Sequence, residues 1–312
     1  MRTLALNSKN IIAGTGNSQL QYNFPSGSIV INEGDQLALS SVSMYNSVYN
    51  FTAALNNNTF SYTWIDGTDV TVTIPDSFLD VDGLNDFLHQ TMLNKGHYLI
   101  EDSTGNFVWF ITIQINVSIY AIQIQCYPMN AATYPTATGA TKKYSIPTGT
   151  AAAWVPQTAN ITPYITIPAT DIRTTLGFNA GYYSGASSGS TLPNTITGTS
   201  PNKTQVTTYS AIQTLTSQNT PQITALTSYI ITCSLINNNY SIPNTLLSAF
   251  PPSAAFANQF VFSPNEMSFI DCQAGSYGSF TVQFYDQNLR QIEMEDSQIV
   301  VLLVIRSKSE KA

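Results

Sequence analysis

The densest set of side chains suited to acid-base or metal chemistry is the run of carboxylates Asp66, Asp69, Asp76, Asp80 and Asp82. Two of them held together could act as acid and base, and several could hold calcium. Their spacing does not match a calcium-binding loop between helices, and each has a local role open to it. Asp66 precedes Gly67 in a turn signal, and Asp80 and Asp82 stand where carboxylates cap a helix. A second acidic patch, Glu293, Glu295 and Asp296, precedes the last apolar run. It reads either as a solvated loop or as a contact to a basic neighbour in an assembly.

The chain has only 2 histidines, His89 and His97, too few to build a histidine-based zinc site and awkward for a catalytic triad. They read as ordinary packing or surface residues. The 3 cysteines, Cys126, Cys233 and Cys272, are far apart and odd in number, without CxxC spacing. Neither a disulfide framework nor zinc is indicated, and a reduced compartment fits. No P-loop, GxGxxG or HExxH pattern occurs. The residues therefore nominate no catalytic, cofactor-binding or metal-binding position, and the chain reads as non-enzymatic. Of the 3 tryptophans, Trp64 and Trp109 fall inside strand patterns, which points to core packing. Trp154, beside Pro156, is the candidate for an exposed aromatic that stacks on a sugar ring.

The elements that would carry these residues are mostly strands. Short runs rich in Val, Ile, Thr, Tyr and Phe recur at 36–44, 59–65, 70–74, 98–101, 107–115, 118–126, 228–236, 259–263, 278–285 and 298–305. Asp66-Gly67-Thr68 between two of them predicts an antiparallel hairpin. The run from Ile299 to Ile305 is apolar at every position, which predicts a central strand covered on both faces or at a subunit contact. One helix is expected from about 81 to 95, with Leu84, Phe87, Leu88 and Thr91 or Met92 as its buried stripe and Gly96 closing it.

Composition narrows the class further. Among 312 residues only 9% are charged, and the net charge is −7. Such a surface is polar but weakly ionic, suited to packing against neighbours, since Lys and Glu are depleted at interface cores. It lacks the clustered Lys and Arg that a specific or general nucleic-acid site needs. No apolar run is long enough to span a membrane, and the polar first residues do not read as a secretory signal. Between about 128 and 226 the texture changes to Gly, Ser, Thr, Pro and Ala, with Lys142, Lys143, Asp171, Arg173 and Lys203 the only charges. This reads as an insertion at 128–226 in a discontinuous domain of 1–127 and 227–312, with a flexible Ser/Thr/Gly-rich stretch at about 184–219.

Several segments together resemble the penton, or minor capsid, proteins of virophages and Polinton-type viruses. The first runs from Thr73-Ile-Pro75 to Leu84-Asn-Asp-Phe-Leu88, with Asp76-Ser77-Phe78 in place of a Gly-aromatic pair. The second is Leu176-Gly-Phe178 with Gly181-Tyr182. The third is the succession of 229–239, 245–250, 280–292 and the closing apolar strand. The resemblance implies an all-β fold, a single jelly-roll β-sandwich with one short connector helix and an inserted, mostly β or irregular subdomain. It also implies a homo-pentamer at the five-fold vertices of an icosahedral virion assembled in the host cytoplasm. Its other partner would be trimers of a double-jelly-roll major capsid protein, and no catalytic, metal or cofactor residue carries over. The insertion could meet a host receptor or glycan. The alternative is a receptor- or carbohydrate-binding β-sandwich, such as a viral spike or adhesin, forming a trimer with an aromatic pocket around Trp154.

Overall fold

A computed structural model describes residues 1–149, 152, 154–183, 195–196, 212–224 and 226–307. The chain divides into two compact units, one made of Met1–Tyr49 with Leu226–Ala312 and the other of Asn50–Ala225. Each has its own apolar core.

The first unit holds two sheets with four principal strands each. In one, Arg2–Asn7 pairs with Val300–Arg306, which pairs with Gln36–Tyr45, which pairs with Gln259–Phe262. In the other, Leu246–Phe250, Tyr229–Cys233, Ser279–Tyr285 and Gln19–Asn23 follow one another. Numbered along the chain, these strands run first, eighth, third, sixth in one sheet and fifth, fourth, seventh, second in the other. That order is a jelly roll, two Greek keys folded into a sandwich. The closing apolar strand is central, as its composition predicts.

Alternation places one face of every strand in the core. Leu4, Leu6, Leu37, Leu39, Val42, Met44, Val301, Leu303 and Ile305 point inward from the first sheet. Leu20, Tyr229, Ile231, Phe280, Val282 and Phe284 meet them from the second. Burying a side chain of this size contributes about 1.5–3 kcal/mol. In Gln36–Tyr45 the inward positions 37, 39, 42 and 44 break strict alternation. The register shift, where Leu302 faces Ser41 but Leu303 faces Leu39, supplies the extra residue, Ser40, that restores the buried face.

The second unit contains a five-stranded sheet in the order Thr195–Ile196, Gly181–Tyr183, Tyr164–Ile167, Thr59–Thr63, Asp69–Thr73. A three-stranded sheet joins Gln213–Thr216, Ala121–Cys126 and Ile111–Asn116, and another joins Tyr144–Ser145, Leu99–Glu101 and Phe107–Val108. The predicted hairpin is present: Tyr62 faces Val70, and Gly67 turns the chain at φ 83°. The predicted helix, Val81–Lys95, buries Val81, Leu84, Leu88 and Met92. The Asp80 carboxylate accepts the Gly83 N–H at 2.8 Å, and Gly96 ends the helix in the left-handed conformation. A second short helix, Ile172–Leu176, was not foreseen.

The second unit begins at Asn50, ahead of the change of texture at 128. The reason is packing: Phe60, Tyr62, Trp64, Val72, Leu88, Ile113 and Ile124 share one core with Trp154, Ile165, Ile167, Tyr183 and Leu215. The change of texture at 128 thus falls inside a unit. Of the stretch expected to be flexible, 195–196 and 212–219 are described, and Gln213–Thr216 pairs with Ala121–Cys126. The remainder lies outside the described residues.

Candidate functional site

The side chains singled out for chemistry are tied up one by one in local structure. Asp66 accepts the Thr68 N–H at 2.8 Å inside the hairpin turn, and Asp69 accepts the Thr63 hydroxyl at 2.7 Å across it. Asp76 accepts the Ala53 N–H at 2.8 Å, and Asp80 caps the helix. In the other unit Asp296 of the acidic patch accepts the Gln298 N–H at 2.6 Å, and Asp286 holds a turn. Asp286 accepts the backbone N–H groups of Asn288 and Arg290 and pairs with the Arg290 guanidinium at 2.8 Å. Glu293 and Glu295 point outward from a segment pinned by buried Ile292 and Met294. Among the described residues no three His, Cys, Asp or Glu side chains gather where they could hold a metal ion.

Both histidines are packing elements. His97 is only 4% exposed, stacks on Trp64 with ring centroids 4.7 Å apart, and its Nδ1 is hydrogen-bonded to the Tyr62 hydroxyl at 2.9 Å. Desolvation pushes its pKa down to about 4, so it is neutral near pH 7. His89 donates from Nε2 to the Ile111 carbonyl at 3.0 Å and stacks on Trp109, and burial lowers its pKa too. A Gly-x-Ser-x-Gly pattern from Gly185 to Gly189 lies outside the described residues. Neither packed histidine is a free base.

The exposed-aromatic expectation for Trp154 is overturned. Its side chain is 3% exposed, donates its indole N–H to the Gly96 carbonyl at 2.8 Å, and meets Trp64 edge-on at 5.0 Å. It closes the core beneath the helix end and presents no face to a sugar. The thiols of Cys126, Cys233 and Cys272 are buried, and that burial pushes each pKa up to about 12. A thiolate is the reactive form, so these remain inert thiols. An open, mostly apolar cleft of about 290 Å³ lies beside the helix start, bordered by Asp80, Asp82, Ile115 and Tyr120. It sits at the lower bound of pockets that enclose small ligands.

No family model and no curated protein matches the chain. Two solved structures do align with it end to end. One is the crystal structure of the selenomethionine-labelled mavirus penton protein, at 12% identity, covering 98% of each chain with a TM-score of 0.41. The other is the cryo-EM structure of the Sputnik virophage, at 12% identity, covering 100% of this chain and 99% of that one with a TM-score of 0.38. The chain is similar to virophage capsid structures.

What remains open in the jelly roll, once the buried chemistry is set aside, is its pair of outward sheet faces. On the first sheet these carry Thr3, Ala5, Asn7, Ser41, Ser43, Gln259, Val261, Val300 and Leu302. On the second they carry Gln19, Gln21, Asn23, Ile230, Ser279, Thr281, Gln283 and Tyr285, with Thr232 buried among them. None of these residues is charged. The cation at the far end of the first face, Arg306, lies over the Phe269 ring at 3.7 Å and donates to Gln36 Oε1.

Proposed function

We propose that the chain is a structural penton subunit, with five copies ringing each vertex of an icosahedral virophage-type capsid. In that position it seals the vertex against trimers of a double-jelly-roll major capsid protein, in a virion assembled in the host cytoplasm. Its role is geometric rather than catalytic. The observation that carries the reading is the strand order of the two sheets, the jelly roll used by viral capsid subunits. Since a fold alone does not assign a function, the surface matters as well. Two sheet faces with few charges on a chain of net charge −7 suit a subunit that spends its life packed against neighbours. The resemblance of 73–88, 172–183 and 229–305 to pentons agrees with both.

The test is the native mass of the purified chain, alone and mixed with its major capsid protein. Pentamers in either condition support the reading. A stable trimer would favour a receptor-binding spike, and a monomer that ignores the capsid protein would overturn the penton assignment.

A further inference from the structure

In the second unit, the hairpin of Ile111–Asn116 and Ala121–Cys126 carries no charged residue, and its tip is apolar. Ile115 is 42% exposed, Val117 77%, and Ile119 and Tyr120 61% each. Such side chains are ordinary when scattered singly, but a contiguous group of them marks a contact site. Tyr120 also stands at φ 48°, a backbone conformation that a bulky residue rarely adopts, so the turn presents its ring at a conformational cost.

Ile115 and Tyr120 border the open cleft of about 290 Å³ at the helix start. Buried Val81 and Ile122 form its floor, with Ile122 paired to Ile115 across the hairpin, and Ile223 closes another side. Hydrogen bonds fix these walls. The buried Asn50 amide donates to the Leu79 and Ile223 carbonyls at 2.7 and 2.8 Å and accepts the Leu79 N–H at 2.9 Å. Asn85 Oδ1 accepts the Ile113 N–H at 2.8 Å, which ties the helix to the hairpin. A cleft held in this way gives up little freedom when it is filled. Two carboxylates stand on its rim. Asp80 spends one oxygen on the Gly83 N–H, and among the described residues no ion pair engages the exposed Asp82.

The structure assigns this cleft as a docking site for a short basic segment of another protein. That segment seats a Leu- or Ile-sized side chain on Val81 and Ile122 and sets an adjacent Arg or Lys against Asp80 and Asp82, within reach of the Tyr120 ring. The assignment is independent of the penton reading, since every residue of the cleft belongs to the second unit. Size and charge select the occupant. The cleft lies at the lower bound of ligand pockets and takes a segment, whereas a whole protein face buries about 800 Å² per partner. A second copy would bring its own net charge of −7. Membrane surfaces are neutral or anionic, and nucleic acid is a chain of phosphates, so neither complements two carboxylates.

The experiment is fluorescence anisotropy, at low salt, of labelled Gly-Leu-Arg-Leu-Gly and its Gly-Leu-Glu-Leu-Gly counterpart. Each is titrated with the full chain, with Tyr120→Gly and with the double variant Asp80→Asn/Asp82→Asn, and circular dichroism checks the fold. Both variants should fold, because glycine adopts φ 48° freely and asparagine caps a helix as well as aspartate does. Support consists of saturable binding of the Arg peptide, at least about fivefold tighter than the Glu peptide, weakened about tenfold by Tyr120→Gly and about threefold by the double variant. Added salt should then narrow the gap between the parent and the double variant, since that gap is electrostatic. Should Tyr120→Gly misfold, the double variant and its salt response decide. Equal binding of the two peptides overturns the site, as does binding that the variants leave unchanged, or no binding of the Arg peptide up to millimolar concentration. Flotation with phosphatidylcholine vesicles that Tyr120→Gly abolishes, without peptide binding, would assign the patch to a membrane instead. Self-association lost in the same variant, again without peptide binding, would assign it to a second copy.

Discussion

His97 is a base that the fold keeps from its proton. In the unfolded chain it binds a proton below about pH 6.5, whereas in the folded chain burial delays this until about 4. Between those values the unfolded state takes up a proton that the native state refuses. The stability that neutral His97 permits is therefore complete above about 6.5 and lost as pH falls toward 4. The full loss is on the order of 3 kcal/mol. His97→Gln should flatten the fall in the urea midpoint over this window, by about one proton of linkage. An unchanged slope would mean that His97 is solvated. Trp154 makes a second case at this scale. Trp154→Ala removes a buried ring and orphans the Gly96 carbonyl, so a loss of about 3–5 kcal/mol is expected in thermal or urea unfolding. Its burial could not be read from the sequence, because the partners that enclose it, Trp64 and Gly96, lie far upstream and no local pattern links them.

Strands and helices were more legible, since their signals are local. The helix at Val81–Lys95 announces itself through Asp80, the Leu84/Leu88/Met92 stripe and Gly96. The hairpin does so through Asp66-Gly67. The closing strand is the instructive exception. Every position from Ile299 to Ile305 is apolar, so its two faces are indistinguishable until the register is known. Pairing assigns Val301, Leu303 and Ile305 to the core and leaves Val300 and Leu302 outside. Val301→Asp should abolish folding, because a carboxylate there has no partner in the core. Leu302→Asp should leave a folded roll that does not assemble. Near-UV circular dichroism separates the two. The Ser40 bulge gives a sharper test. Deleting that one residue turns either the Leu37/Leu39 pair or the Val42/Met44 pair to the outside, so soluble protein should be lost. Retention of native spectra would show that the strand tolerates either parity.

At the scale of the whole chain, the inserted unit leaves the roll after Tyr49 and returns at Leu226, between the third and fourth strands. The roll itself holds the two connections together: the Tyr229 hydroxyl donates to Asn46 Oδ1 at 3.1 Å. Replacing residues 50–225 by a short Gly/Ser linker should therefore leave the roll folded, with its near-UV spectrum retained. Collapse of that deletion would show that the two cores depend on each other. The carboxyl-terminal half of the roll is readable from its succession of strands. The start of the second unit at Asn50 is not readable, because residues 50–127 have the same Val, Ile and Thr texture as the roll while belonging to another core. Texture reports secondary structure, whereas membership of a core is decided by contacts across long stretches of chain.

The scarcity of charge on the sheet faces has a consequence for how contacts made through them respond to the medium. Salt acts on protein contacts by screening charge, over about 8 Å at physiological ionic strength. Faces built from Val, Leu, Ser, Thr and Gln offer it nothing to screen. A contact made through them would lose no grip on passing from dilute to concentrated electrolyte. Its only electrostatic response would be a slight tightening as added ions quiet the mutual repulsion of the chains' remaining negative charges.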